Sequence, residues 1–310
     1  MSDEEKLRGK TVVITGASSG LGRGAAWKLS EAGANVVIAA RRGRVLDELV
    51  ERISSAGGVA VAVETDVSDP DDIARLAAAA LNRFGRIDVW VNNVGIGALG
   101  SFWDVPIEDH ARVIDVNIKG LMYGAHAALR QFRSQGAGIL INVGSVESDV
   151  PLAYQSSYAA SKAAVLTFGR CLTEELRLAG QEDRIRVGTI MPWAVDTPFW
   201  THAANYTGHT LRMATMEDPV PVVDAIVAAC IDPQQEHRVG MKAHVGGLAN
   251  RVMPDVADRM SAKVADAESQ KGATVPPTTG AIYQPIDAGA TVEGGIRERM
   301  QREDDARRAS

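Results

Sequence analysis

From residue 10 to about 200, short apolar runs rich in Val and Ile alternate with longer stretches whose apolar positions recur at helical spacing. The runs at 11–15, 35–40, 59–64, 87–91, 138–143 and 185–190 predict six strands. Between them, helices are predicted in a stretch that opens in the turn 16–24 and ends near 32, and over 45–56, 70–84, 109–134 and 156–179. The helix at 70 has a Pro-Asp start, and a loop joins the fourth strand to Pro106. Strands alternating with helices of this length imply βαβ units and a parallel sheet. Strands that are apolar on both faces agree, because such a sheet is covered by helices above and below. The expected fold class is α/β, a single doubly wound parallel sheet flanked by helices, with a C-terminal extension.

The pattern divides the chain of 310 residues into a flexible N-terminus (1–8), one domain (9–245) and an extension (246–310). Within the extension, 254–267 reads as one more amphipathic helix. Lys271-Gly272, Pro276-Pro277 and Thr278-Thr279-Gly280 follow, and a mixed-charge run over 297–308 is expected to fray. Composition narrows the function classes. Hydrophobic residues make up 45% and the mean hydropathy is −0.06, as in a soluble globular protein. The net charge of −6 offers no attraction for phosphate polymers, so a nucleic-acid partner is not expected. No apolar run of about 18 residues predicts a membrane span, and the acidic start Met1-Ser2-Asp3-Glu4-Glu5 is not a secretory signal. Cys171 and Cys230 lack metal-like or CxxC spacing and suit a reducing cytoplasm. The six histidines are scattered, and no residue cluster suggests a metal.

Two local features carry chemistry. Thr15-Gly16-Ala17-Ser18-Ser19-Gly20-Leu21-Gly22 follows the first strand and opens the first helix, where free amides and close backbone approach suit a pyrophosphate. In Ser157-Tyr158-Ala159-Ala160-Ser161-Lys162, a phenol and an ammonium lie four residues apart on one helical face. A neighbouring cation favours the phenolate, so Lys162 is expected to lower the Tyr158 pKa from about 10 and fit it for proton transfer.

The Gly-x3-Gly-x-Gly loop together with Tyr-x3-Lys resembles the classical short-chain dehydrogenase/reductase family, and the resemblance covers roughly residues 9–200. Asn92-Asn93-Val94-Gly95 is similar to the family's Asn-Asn-Ala-Gly. Asp66-Val67 matches its adenine contact, Asn117 its mid-helix catalytic asparagine, and Ser145, thirteen residues before Tyr158, its catalytic serine. The resemblance implies a Rossmann-type fold and hydride transfer between a nicotinamide and a small-molecule alcohol/ketone. The implied catalytic set is Asn117, Ser145, Tyr158 and Lys162: Tyr158 moves the proton, Lys162 also binds the nicotinamide ribose, and Ser145 holds the substrate oxygen. Asn117 positions a water on the proton path. The implied cofactor contacts are Gly16, Ser18, Ser19, Gly20, Leu21, Gly22, Asp66, Val67, Asn93, Gly95, Tyr158 and Lys162. Pro192, Val195 and Thr197 join them, although Trp193 stands where the family has glycine. A homotetramer or homodimer through the helices carrying Asn117 and Tyr158 is also implied. The alternative is a catalytically silent nucleotide sensor or scaffold of the same fold, which usually loses the tyrosine or the lysine.

Cofactor choice is read after the second strand. Relatives specific for NAD usually carry an acid there, whereas this chain has Arg41-Arg42, which suit a 2′-phosphate. NADP(H) is therefore favoured and NAD(H) not excluded. Downstream, 193–215 holds the position of a substrate loop. Its Phe199, Trp200 and Tyr206, with Phe102 and Trp103, suggest a cleft for a hydrophobic or ring-containing substrate.

Overall fold

The computed structural model describes residues 3–240 and 254–309. The boundary expected at 245/246 lies outside the described residues. Seven strands form one parallel sheet: β1 (Thr11–Thr15), β2 (Asn35–Ala40), β3 (Val59–Glu64), β4 (Val89–Asn92), β6 (Gly138–Val143), β7 (Ile185–Pro192) and β9 (Glu236–Val239). Their order is β3-β2-β1-β4-β6-β7-β9. A small parallel pair, β5 (Ala98–Leu99) with β8 (Ala204–Asn205), lies outside it. The edge strand β9 was not expected; with Glu-His-Arg-Val it has no apolar run to mark it.

Strand alternation sorts the core into two layers. Val12, Ile14, Val36 and Ile38 face one side with Leu29, Leu46, Leu49 and Ile226. These come from α2 (Gly20–Glu31), α3 (Gly43–Ser55) and α9 (Val220–Ala229). Val13, Val37, Trp90 and Leu140 face the other side with Leu76, Phe132 and Leu176. Here the cover is α4 (Pro70–Phe84), α6 (Leu121–Gln135) and α7 (Ser156–Leu178). Successive strand residues point to opposite faces, so a continuous apolar run feeds both layers at once. Local signals set the helix ends: Asp69 accepts a hydrogen bond from the Asp71 amide and Pro70 opens α4, while Gly85 closes it in the left-handed region.

The helix expected over 109–134 is three pieces: α5 (Ile107–Ile114), a π-helical turn (Asp115–Gly120) and α6. Asn117 sits in that turn and grips Ile96, accepting from its amide and donating to its carbonyl, both at 2.9 Å. A π turn commonly marks a functional position. At the N-terminus, α1 (Asp3–Leu7) buries Leu7 in the first layer. A four-residue helix, α8 (Phe199–His202), follows β7.

Beyond residue 254 the extension contains α10 (Pro254–Ser269) and α11 (Ile296–Ala309). Arg212, in the segment between β8 and α9, is buried and pairs with Glu268 at 3.0 Å, Asp304 at 2.7 Å and Glu303, tying both helices to that segment. The buried carboxylate of Asp196, just past β7, accepts from the amides of Ile296 (2.8 Å) and Arg297 (3.2 Å) and so caps α11.

Candidate active site

In an open parallel sheet, the crevice forms at the strand C-termini where the order reverses, here between β1 and β4. A cleft of about 490 Å³ occupies that position. Its floor is the glycine loop. Gly16 has φ +72°, and a Cβ on Gly22 would lie 2.5 Å from the Gly16 carbonyl oxygen, so both positions require glycine. Asn93 locks the loop from β4, donating to the carbonyls of Thr15 (3.0 Å) and Gly16 (3.3 Å).

Nearly all the residues singled out in the sequence line this one cleft: Gly16, Ser18, Ser19, Gly20, Leu21, Arg41, Arg42, Asp66, Val67, Asn93, Gly95, Ser145, Tyr158, Lys162, Pro192, Val195 and Thr197. Gly22 and Asn117 are buried behind it. The side chain of Asn117 is spent on Ile96 and on Ser161, to which it donates at 3.0 Å.

At one end, Ser145 follows β6 and caps a single 3₁₀ turn, its Oγ accepting from the Glu147 amide at 3.2 Å. One turn apart on α7, Tyr158 and Lys162 face Ser145. The buried Lys162 Nζ donates to the Val143 carbonyl at 2.8 Å and lies 5.6 Å from the Tyr158 ring centre. Burial draws the Lys162 ammonium down to about 8, opposed by the charge of Glu147. The Tyr158 phenol is held well above its ordinary value, first by burial and then by the charge of Glu147, while the Ser145 hydroxyl pulls it back. The lowering expected from Lys162 does not appear: enclosure penalises the phenolate and an acid stands beside it. Glu147, which sequence reasoning passed over, is buried, and its carboxyl is pushed up to about 8.

Beyond Ser145 the cleft is mainly apolar. Val150, Leu152, Trp193, Phe199, Leu211 and Met213 line it, and Met260 and Val264 of α10 close its outer side. The Trp193 indole donates to the Thr215 carbonyl at 3.0 Å, and its ring packs on Val146 and Val150. Tyr154 holds a left-handed φ of 69° on the cleft wall and donates to Asp266 of α10 at 2.6 Å. Trp103 and Phe102 were expected here and lie elsewhere. Trp103 is 83% exposed, and Phe102 stacks on His110 at the surface. Tyr206 turns away to donate to Asp109.

The opposite end is covered by the extension. Arg41 donates to the carbonyls of Ala281, Ile282 (3.2 Å) and Tyr283 (2.7 Å). Arg42 donates to Ser18 Oγ and to the carbonyls of Ile286 (3.1 Å), Ala288 (3.0 Å) and Gly289 (3.4 Å). The Gly20 amide of the glycine loop donates to the Thr291 carbonyl at 2.8 Å. Arg112 joins this strap to Asp66, donating to the Ile282 carbonyl (3.0 Å) and to the Asp66 carboxylate (2.7 Å). Burial pushes the Asp66 carboxyl up, but hydrogen bonds from Ser68 and Arg112 outweigh it and hold the group below its ordinary value. No motif announced Arg112 or the strap, whose contribution is mostly backbone carbonyls.

Comparison with known proteins agrees with this geometry. Residues 10–206 match the family model of the short chain dehydrogenases. An uncharacterized oxidoreductase of Bacillus subtilis (strain 168) is 35% identical over 263 residues, covering 83% of this chain and 72% of its own length. The 3beta-hydroxysteroid dehydrogenase 1 of Eggerthella lenta is 39% identical over 213 residues, covering 68% and 79% respectively. A short chain dehydrogenase/reductase from Burkholderia phymatum, solved in complex with NAD, superposes with a TM-score of 0.72 at 26% identity, covering 84% of this chain and 97% of its own. The chain belongs to the short-chain dehydrogenase/reductase family. Among the described residues, no helix is long and apolar enough to cross a membrane.

Proposed function

We propose that this protein is a nicotinamide-dependent oxidoreductase that reduces a ketone, or oxidises the matching alcohol, on a hydrophobic or ring-containing substrate. The observation that carries this reading is the convergence of Ser145, Tyr158 and Lys162 at one end of a cleft whose floor is the glycine loop and whose other end holds Arg41 and Arg42. A dinucleotide fits this arrangement. The cradle at Gly16 and Gly22 leaves no room for a Cβ, and a Cβ at Gly95 would meet Lys162 Nζ at 3.2 Å. The glycine loop would hold the pyrophosphate, Lys162 the nicotinamide ribose, and Val195 and Thr197 the carboxamide. When bound, the nicotinamide supplies or accepts the hydride at C4.

The chain's own residues handle the oxygen and the proton. The Ser145 hydroxyl holds the substrate oxygen and stabilises charge developing there. Tyr158 transfers the proton. Its phenol keeps that proton at neutral pH, which suits a general acid delivering it to a carbonyl oxygen. Lys162 stays braced by the Val143 carbonyl beside the phenol. The intact Asn117, Ser145, Tyr158 and Lys162 set favours turnover over a silent sensor.

NADP(H) is the cofactor we favour, since the end of β2 offers two guanidiniums and no acid. The donors of Arg41 and Arg42 are engaged by strap carbonyls, so a 2′-phosphate takes them over only as the strap yields. Exposed Met122 on α6 and Leu178 on α7 fit assembly as a dimer or tetramer through these helices. Light scattering of the full chain against a truncation at about 270 tests this assembly.

The functional reading is tested by following NADPH and NADH consumption with a panel of cyclic ketones and aldehydes. It predicts turnover of apolar ring ketones and faster turnover with NADPH. Turnover confined to small charged sugars or hydroxy acids would overturn the substrate reading, and equal use of both cofactors would overturn the cofactor reading.

A further inference from the structure

Three acids line the cleft, and they are not equivalent. Asp66 is held by Arg112 and Ser68, and Glu268 by Arg212 and Lys271. Glu147 is 6% exposed, and its Oε2 is enclosed without any hydrogen-bond partner. Desolvating a carboxyl without a partner is costly, and an apolar side chain would fill the same space without that cost. The position lies beside the chemistry: Glu147 is two residues past Ser145, its amide is bound to the Ser145 hydroxyl, and its ionisation is coupled to that of Tyr158 and Lys162. Around it Val146, Val150, Leu152 and Trp193 offer no free polar group, and among the described lining residues only the Gln155 Oε1 is likewise enclosed without a partner.

We infer that Glu147 is a specificity-determining residue that hydrogen-bonds a second hydroxyl of the substrate, carried one or two carbons from the reacting carbon of an otherwise apolar ring. The inference rests on the oxidoreductase reading of the same site. Ser145, Glu147 and Tyr158 line the same stretch of the cleft, so a substrate oxygen held between Ser145 and Tyr158 would sit near Glu147. A hydroxyl suits the group better than an ammonium for two reasons. Burial keeps the carboxyl largely protonated at neutral pH, so it presents one donor and one acceptor, as a hydroxyl does. The Lys162 ammonium already occupies that neighbourhood, so a second cation would be repelled. No bond to Glu147 forms or breaks. Hydride moves between the nicotinamide and the carbinol carbon, the proton between that oxygen and Tyr158, and Glu147 only selects what is bound.

The experiment pairs 1-indanone with 2-hydroxy-1-indanone under NADPH, and separately titrates indane-1,2-diol against indan-1-ol by calorimetry without cofactor. Wild type is expected to prefer the hydroxylated ketone in kcat/KM by roughly 10- to 100-fold, mostly through KM. In Glu147→Leu and Glu147→Ala that ratio falls toward one whatever happens to the absolute rates, and Glu147→Asp restores part of it. The calorimetric preference for the diol falls in parallel. Two truncating variants guard against one that does not fold, with circular dichroism as the check. A ratio unchanged in a folded Leu or Ala variant, or no diol preference in wild type, overturns the inference. Absence of any ketone turnover in wild type would instead overturn the proposed function. The calorimetry would then still decide whether Glu147 recognises a hydroxyl.

Discussion

The two ends of the cleft are built by different means. At the catalytic end, Ser145, Tyr158 and Lys162 stand on or next to β6 and α7, and their partners, Val143 and Glu147, are close in sequence. At the proposed adenosine end, apart from Ser18, which Arg42 also reaches, the partners of Arg41 and Arg42 lie some 240 residues away and are backbone carbonyls. The first is a rigid constellation fixed by the ends of packed elements. The second is a roof of irregular, turn-rich chain, held by charge-assisted hydrogen bonds that can be exchanged for others. Reaction chemistry gains from the rigid kind of construction, and cofactor entry needs the exchangeable kind.

Perturbing each end should therefore give separable effects. Tyr158→Phe removes the proton donor and is expected to lower kcat by about 10³-fold while NADPH affinity, followed by fluorescence titration, stays within a factor of about three. Equal losses in both quantities would mean that the two ends are not separable. Next in size, Arg212→Ala leaves the carboxylates of Glu268 and Glu303 without their buried cation. It should cost about 3 kcal/mol in denaturant unfolding and loosen α10 and α11 together. A change below about 0.5 kcal/mol would show that the extension is anchored elsewhere.

Arg42→Ala acts at the adenosine end only. It removes charge-assisted contacts worth about 1.5–3 kcal/mol, so NADPH affinity should fall roughly 10- to 100-fold, with NADH affinity nearly unchanged. A parallel loss for NADH would assign Arg42 to holding the strap rather than to reading the 2′-phosphate.

The last expected effect, on stability at the Ser145 end, is read as a trend with pH. The Glu147 carboxyl is raised from 4.5 to about 8, so the folded state binds its proton more tightly than the unfolded chain does. That contribution is present below pH 4.5 and is lost as pH rises toward 8. Glu147→Gln should thus unfold a few degrees above wild type at pH 9 and match it near pH 4. The opposite trend would mean that attraction to Lys162 outweighs burial.

The sequence exposed the cleft residues whose signals are local more fully than the strap that covers Arg41 and Arg42. The glycine loop, Asp66, Asn93, Ser145 and the Tyr158/Lys162 pair each sit within a few residues of a strand end or on one helical face, where spacing translates directly into position. Glu147 was equally visible, an acid two residues past Ser145, and went unused because burial is not written in spacing. Asn117 was found, but the π turn that sets it against Ile96 was not, since a π insertion leaves helical periodicity almost intact over so short a span. Arg41 and Arg42 were located, whereas their partners Ala281 to Gly289 act through carbonyls that every residue possesses. Phe102 and Trp103 were assigned to the cleft on aromatic content alone, and the structure turns both to the surface.

Labelled hydride transfer tests the central claim most directly. NADPH dideuterated at the nicotinamide C4 is incubated with an apolar ring ketone and either wild type or Tyr158→Phe, and the alcohol is examined by mass spectrometry and NMR. The account predicts a single deuterium on the carbinol carbon with wild type and almost no product with Tyr158→Phe. Equal deuterated product from both proteins, or an alcohol without deuterium at that carbon, would contradict it.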